Sequence, residues 1–236
     1  MSSIIDINFD FHSDTPANKD PDSRSPTLRN YHKLLWSKTL PNGQFLELLD
    51  TKPKTYLYHR SNQGEFYLGS DAITHSYRKV KRMSHVISQV PPEMVSSLFA
   101  TGSTIGAYTI FPSNRINNHM TINQARGVNQ RIWDRFDLTL ECIRLFYENK
   151  ESPLYSVLQR YSEFFKLFCD FKGYVEFFLF QDLVSSNYSS VKYHLQHCDF
   201  DDTPLPRNKN EYLEYRENTI KFVKARAQRM LASVRT

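Results

Sequence analysis

TIGAYTIFPSNRINNHMTINQARGVNQRIWDRFDLTLECIRLF, residues 104–146, holds the change of period on which the fold turns. Its first part, running out at Phe111-Pro112, is an apolar strand. A polar loop follows, with Thr121 as the N-cap of a helix beginning at Ile122. From Ile132 the apolar residues Phe136, Leu140, Ile143 and Phe146 recur in steps of three and four, the stripe of a half-buried helix. Strand patterns dominate before this stretch and helix patterns after it. That order predicts an α+β fold in one domain: a mainly antiparallel β region over about 1–112 packed on a helical part over about 119–236.

Upstream, Ile5, Ile7, Phe9 and Phe11 alternate with polar residues, the period of a strand with one apolar face. The segment HSDTPANKDPDSRSP interleaves Asp14, Asp20 and Asp22 with Pro16, Pro21 and Pro26, a composition of turns and caps. Ser25-Pro26 predicts a helix start, an N-cap followed by proline, and Leu28, Tyr31, Leu35 and Trp36 give that helix an apolar side. Pro41-Asn42-Gly43 is a turn. Strands over 44–49, 55–59 and 65–68 follow, the last two joined at Asn62-Gln63-Gly64 as a hairpin that sets His59 across from Glu65. Residues 75–85 carry Arg78, Lys79, Lys81 and Arg82 without an acid, which reads as a solvated helix face or as a phosphate-facing patch. Pro91-Pro92-Glu93 opens a short helix.

Downstream, Ser152-Pro153 starts an aromatic-rich helical stretch that ends at Cys169. Residues 174–184 are apolar on nearly all sides and read as a buried helix or a central strand, with Gln181-Asp182 favouring the helix, and a short strand follows at 191–195. A last helix over 210–234 has Leu213, Ile220, Val223, Ala227, Met230 and Val234 on one side, and Lys221, Lys224, Arg226 and Arg229 on the other.

The chain has 236 residues, enough to bury a core without staples, and only 7 glycines, too few for long flexible linkers. Cys142, Cys169 and Cys198 are far apart and show no zinc spacing, so they read as reduced thiols, the first two buried. No stretch approaches the ~18 apolar residues of a membrane span, and the first residues lack a signal-peptide pattern. The expected setting is the cytoplasm. A net charge of +5 suits nucleic acid, a nucleotide or an acidic protein partner.

No nucleophile elbow, phosphate-binding loop, zinc-protease or dinucleotide motif declares a reaction. The signal is instead an acid-free run from Met94 to Trp133 that is rich in arginine and amides. Arg115, Arg126, Arg131 and Arg135 are candidates for holding a phosphate, because a guanidinium gives two parallel hydrogen bonds and stays charged. Asn117, Asn123 and Gln124 are candidates for orienting a base or sugar. The competing reading pairs Arg126, Arg131 and Arg135 with Asp134, Asp137 and Glu141 in surface ion pairs. His119, inside the loop, and Glu65 are the candidate acid–base groups. Asp14, Asp20 and Asp22 would suit a divalent cation, the one cofactor the sequence suggests, and otherwise act as caps. Tyr56, Tyr58, Phe66, Tyr67 and Tyr108 on strands are either core rings or a surface for stacking bases.

Six segments, at 13–43, 64–71, 109–116, 121–127, 131–147 and 173–184, together resemble a family of bacterial and phage proteins of uncharacterised function. The resemblance runs from about Phe9 to the last helix and implies a single-domain protein with no catalytic residues to carry over. The leading expectation is a phosphate-recognising binding protein for nucleic acid or nucleotide. The alternatives are an enzyme acting on such a ligand, and a phage or mobile-element protein that binds a host protein.

Overall fold

The computed structural model describes residues 5–52, 56–197 and 199–234. It is α+β, with two small antiparallel sheets toward the N-terminal side and helices beyond them. Thr55, the expected start of a strand, and Cys198 lie outside the described residues.

The chain opens with α1 (Pro21–Arg24) and α2 (Pro26–Trp36). Ser25 caps α2 as its sequence predicts, accepting from the Leu28 N–H at 3.0 Å. β1 (Lys38–Thr39) and β2 (Phe45–Leu46) pair across the turn at Gly43, whose φ of +83° is in the region that favours glycine. The larger sheet runs β3 (Leu49–Asp50), β4 (Leu57–Ser61), β5 (Gly64–Ala72) and β6 (Tyr108–Pro112), each antiparallel to its neighbour. In the β4–β5 hairpin His59 pairs with Phe66 and Arg60 with Glu65, so His59 and Glu65 do not face each other. Between β5 and β6 lie α3 (Ser84–Ile87) and α4 (Pro92–Gly102). The basic run 75–82 is non-helical until a 3-10 turn at Lys81–Met83, so it is not a helix face.

After β6 come α5 (Ile122–Val128), α6 (Phe136–Tyr147), α7 (Tyr155–Arg160), α8 (Ser162–Lys166), α9 (Phe171–Phe177) and α10 (Lys209–Ser233). Ser152-Pro153 does not start α7 directly; a turn closes first, with the Tyr155 N–H on the Ser152 carbonyl at 3.0 Å. The apolar run 174–184 is helical through α9 and a 3-10 turn at Gln181–Leu183. The expected strand at 191–195 is reduced to one bridge, Val184 to Val191. One core cluster draws Leu57, Leu68 and Ile110 from the sheet, Leu140 and Ile143 from α6, Phe168 before α9, and Val223 from α10.

The alternating residues 5–11 do not form a strand. Asp6 and Asp10 each accept a backbone N–H two residues on, from Asn8 and His12 at 2.9 Å, and turn the chain. Ile5 and Phe11 are still buried, so the period-two pattern of burial survives with turns in place of a ladder. Cys142 is buried as expected, but Cys169 is exposed at the end of a turn with φ +65°. Arg226 is not on the basic face of α10; it is fully buried, donating to the carbonyls of Phe178, Gly106 and Tyr108.

Candidate functional site

The alternation of β5 builds the site. Phe66 and Leu68 point into the core, and Glu65, Tyr67, Gly69 and Asp71 share the other face. That second face is open at the hairpin end and covered at the far end, where Asp71 is only 4 % exposed. The cover is Arg126, held in α5 by the capping box of Thr121 and Gln124. Its Nη1 donates to Asp71 Oδ2 at 2.5 Å and to the Ala72 carbonyl at 3.2 Å. Its Nε donates to Thr139 Oγ1 at 3.2 Å, and its Nη2 meets the Asp134 carbonyl at 3.2 Å and Asp134 Oδ1 at 3.3 Å. Arg126 thus makes four hydrogen bonds and an ion pair with Asp134, all inside the protein.

A cleft of about 340 Å³ lies beside this clamp. Asp20 and Asp22 from α1, Asp71 at the end of β5, and Asp134 after α5 all line it. His12, His75, Asn123 and Tyr108 complete its polar wall, and Leu98 and Phe99 of α4 its apolar one. Asp20 accepts from the Asp22 N–H as the N-cap of α1. The Asp22 carboxyl is largely buried, and its Oδ1 has no hydrogen-bond partner.

Burial pushes Asp22 well above the usual carboxylate range, and the charges of Asp71 and Asp20 push it further. Burial likewise raises Asp71, to about 7, against the pull of Arg126. One guanidinium faces several carboxylates, so the cluster keeps a proton near neutral pH, and Asp22, without an arginine contact, is the group placed to carry it. His75 is pushed down by burial, and its Nδ1 accepts the Tyr77 N–H at 2.9 Å, which leaves the proton of the neutral ring on Nε2.

The walls are strained and bolted. Tyr77, Trp133 and Asp134 all have positive φ, at 56°, 45° and 62°. The Tyr77 hydroxyl donates to the Trp133 carbonyl at 3.0 Å. Tyr215 and Tyr212 of α10 donate to the His75 and Ser76 carbonyls, each at 2.9 Å. Three tyrosine hydroxyls thus fix the chain on both sides of the cleft. Trp133 lines a second, open cleft of about 660 Å³ with Arg82, His85, Gln130, Arg131 and Arg207.

The residues singled out in the sequence are dispersed by this arrangement. Asn123, Asp20 and Asp22 line the first cleft. Arg131 lines the second, in an exposed pair with Asp201 at 3.1 Å. Arg135 is fully buried, with Nε and Nη2 on the Asp137 carboxylate and Nη1 on the Pro204 carbonyl. Arg126 and Arg135 do pair with Asp134 and Asp137, as the competing reading held, but in the interior rather than on the surface. Arg115, Asn117 and His119 are exposed on the loop after β6, and Gln124 is used by its capping box. Glu65 is exposed beside Arg60 at 3.4 Å. Asp14 is held by the Ser25 hydroxyl at 2.6 Å and the Thr27 N–H at 2.9 Å, apart from the cleft. Among the described residues no three His, Cys, Asp or Glu side chains are placed to hold a metal ion. Phe66 and Tyr108 are core, whereas Tyr56 and Tyr67 lie on the outer face of the sheet. The sequence offers Asp134 only as a partner of the arginines and His75 only as one of several histidines able to act as a base, and it does not mark Asp71. Asp71 lies three residues beyond the strand expected at 65–68, which in the structure runs on to Ala72, so nothing local marked it.

Residues 5–230 match the model of a family of unknown function, DUF6994, and the chain belongs to that family. No curated protein and no solved structure matches it. Among the described residues no helix is long and apolar enough to cross a membrane.

Proposed function

We propose that the cleft is an acid–base catalytic site acting on a phosphate-bearing ligand of the nucleotide class. The observation that carries this reading is the pair Asp22 and Asp71, two buried carboxyls in one cleft with unequal partners. Asp22, without an ion-pair partner, keeps its proton and serves as general acid. Asp71, pinned by Arg126, is the group that ionises near neutrality and serves as base. Asn123 supplies an amide for a base edge or sugar hydroxyl, and the aromatic ring of Phe99 stands on the wall. The exposed residues Arg78, Lys79, Lys81 and Arg82 follow the cleft residues His75 and Ser76 in the chain and favour an anionic ligand. The phosphate role that the sequence suggested for the loop arginines passes to this basic run, because Arg126 and Arg135 have been drawn into the interior.

The test is incubation with mononucleotides and short oligonucleotides, read by mass spectrometry for conversion. Asp22→Asn and Asp71→Asn are each expected to cost a hundred-fold or more in turnover, roughly the worth of a positioned acid or base, while the folded protein still binds its ligand. Binding without turnover in the native protein would leave a recognition site and remove the acid–base role. Full turnover in both variants would remove it as well.

A further inference from the structure

Arg78 is exposed and follows Tyr77, whose φ is 56°, two residues beyond the cleft residue Ser76. Its guanidinium lies 3.5 Å from the centre of the Phe99 ring, a tight cation–π contact. The same ring carries the His12 imidazole, stacked with centroids 5.2 Å apart and planes 27° apart. Phe99 and His12 both line the acidic cleft. Among the described residues Arg78 makes no ion pair, although four aspartates line the cleft beside it. The chain that delivers it is rigid, since the His75 and Ser76 carbonyls and the Tyr77 hydroxyl are all tied to α10 or to Trp133.

We infer that Arg78, held flat on Phe99, is the residue that grips the phosphate group of the ligand at the mouth of the Asp22–Asp71 cleft. A guanidinium stacked by its face leaves its edge free, and the edge carries the N–H pairs that match two phosphate oxygens. Stacking also fixes the side chain before the ligand arrives, so little rotamer freedom is lost on binding. The division of charge is then functional. The acids inside act on the reacting group, and the arginine outside holds the phosphate away from them. This inference rests on the acid–base reading of the cleft for its orientation, but not for the anion contact itself.

The experiment is calorimetric titration of the full chain with inorganic phosphate, with acetate as control. The native protein is expected to bind phosphate in preference to acetate. Arg78→Gln should weaken phosphate binding about ten- to a hundred-fold, the range for charged hydrogen bonds. Arg78→Lys, which keeps the charge and loses the planar fork, should fall between. Phe99→Leu should weaken phosphate although it removes no charge, with the melting temperature recorded to separate this from unfolding. Arg131→Gln, at the other cleft, should leave binding within about two-fold, well below the loss of a charged contact. Unchanged binding in Arg78→Gln, or an equal loss in Arg131→Gln, overturns the inference, as does an absence of phosphate binding. Equal affinity for acetate overturns the phosphate assignment. Phosphate bound through Arg78 with no turnover of any nucleotide would sink the acid–base reading alone. Nucleotide turnover that survives Arg78→Gln would sink this inference alone.

Discussion

Replacing Arg126 with methionine is the perturbation that decides whether this arginine is a clamp or a ligand residue. The guanidinium is fully buried and spends its donors on Asp71, Ala72, Asp134 and Thr139. Methionine keeps much of the length but none of the donors. Two carboxylates, Asp71 and Asp134, lose their cation, three neutral acceptors lose a donor, and Asp71 is left buried without a partner charge. Loss of one member of a buried pair costs about 3–5 kcal/mol, and that is the expected loss at pH 7.5. The deficit should shrink at pH 5, because Asp71 can then take a proton rather than hold an unpaired charge. Adding Asp71→Asn to Arg126→Met should recover about 1–3 kcal/mol, the coupling of two groups in contact. Urea unfolding followed by the fluorescence of Trp36 and Trp133 reads all of these. A loss below about 1 kcal/mol, the range of an exposed ion pair, would refute the clamp and return Arg126 to the ligand.

Asp71 should make the protein less stable as pH rises. Its folded value is above its unfolded one, so its contribution is complete below about pH 4 and is lost through about pH 7, a change of about 4 kcal/mol. Asp71→Asn should flatten that part of the urea-midpoint profile. His32 acts with the opposite sign. Its Nδ1 accepts from the Trp36 Nε1–H at 3.1 Å, its Nε2 sits 2.9 Å from Ser70 Oγ, and burial holds it down to about 3. Stability from His32 is therefore present above pH 6.5 and lost as pH falls toward 3, and the gap between native protein and His32→Gln should narrow over that window. Gly106→Ala should cost about 1–3 kcal/mol by thermal or urea unfolding, since its Cβ would meet the Val223 carbonyl of α10 at 2.3 Å. Gly127→Ala, inside α5 with open space around the Cβ, should instead stabilise by about 0.4–1 kcal/mol.

Local signals read well in this chain. Ser25-Pro26 and Thr121 mark helix starts, Asn62-Gln63-Gly64 marks the hairpin, and the stripe from Phe136 to Phe146 marks α6. Each depends only on neighbours a few residues away. The site is another matter, because its members come from α1, β5, the end of α4 and the turn after α5. Asp71 and Arg126 are 55 positions apart, and nothing local in either segment signals that they touch. Arginine was read as a surface residue by its charge, yet Arg126, Arg135 and Arg226 are among the largest fully buried side chains. A buried arginine is tolerated where carboxylates and backbone carbonyls converge on it, and that convergence is a tertiary fact. The strand misread at 5–11 failed for a local reason, since Asp6 and Asp10 offer the backbone turns that compete with a ladder.

The claim at the centre of this account is that Asp22 and Asp71 share the cleft and hold a proton there near neutral pH. Carboxyl-carbon NMR titration of protein labelled in aspartate measures it directly, with Asp22→Asn and Asp71→Asn to assign the two signals. The account predicts that both signals titrate far above the other aspartates, with Asp71 near 7, and that removing either carboxyl lowers the value of the other. Two ordinary carboxyls, both fully ionised by pH 5 and indifferent to each other's removal, would contradict it.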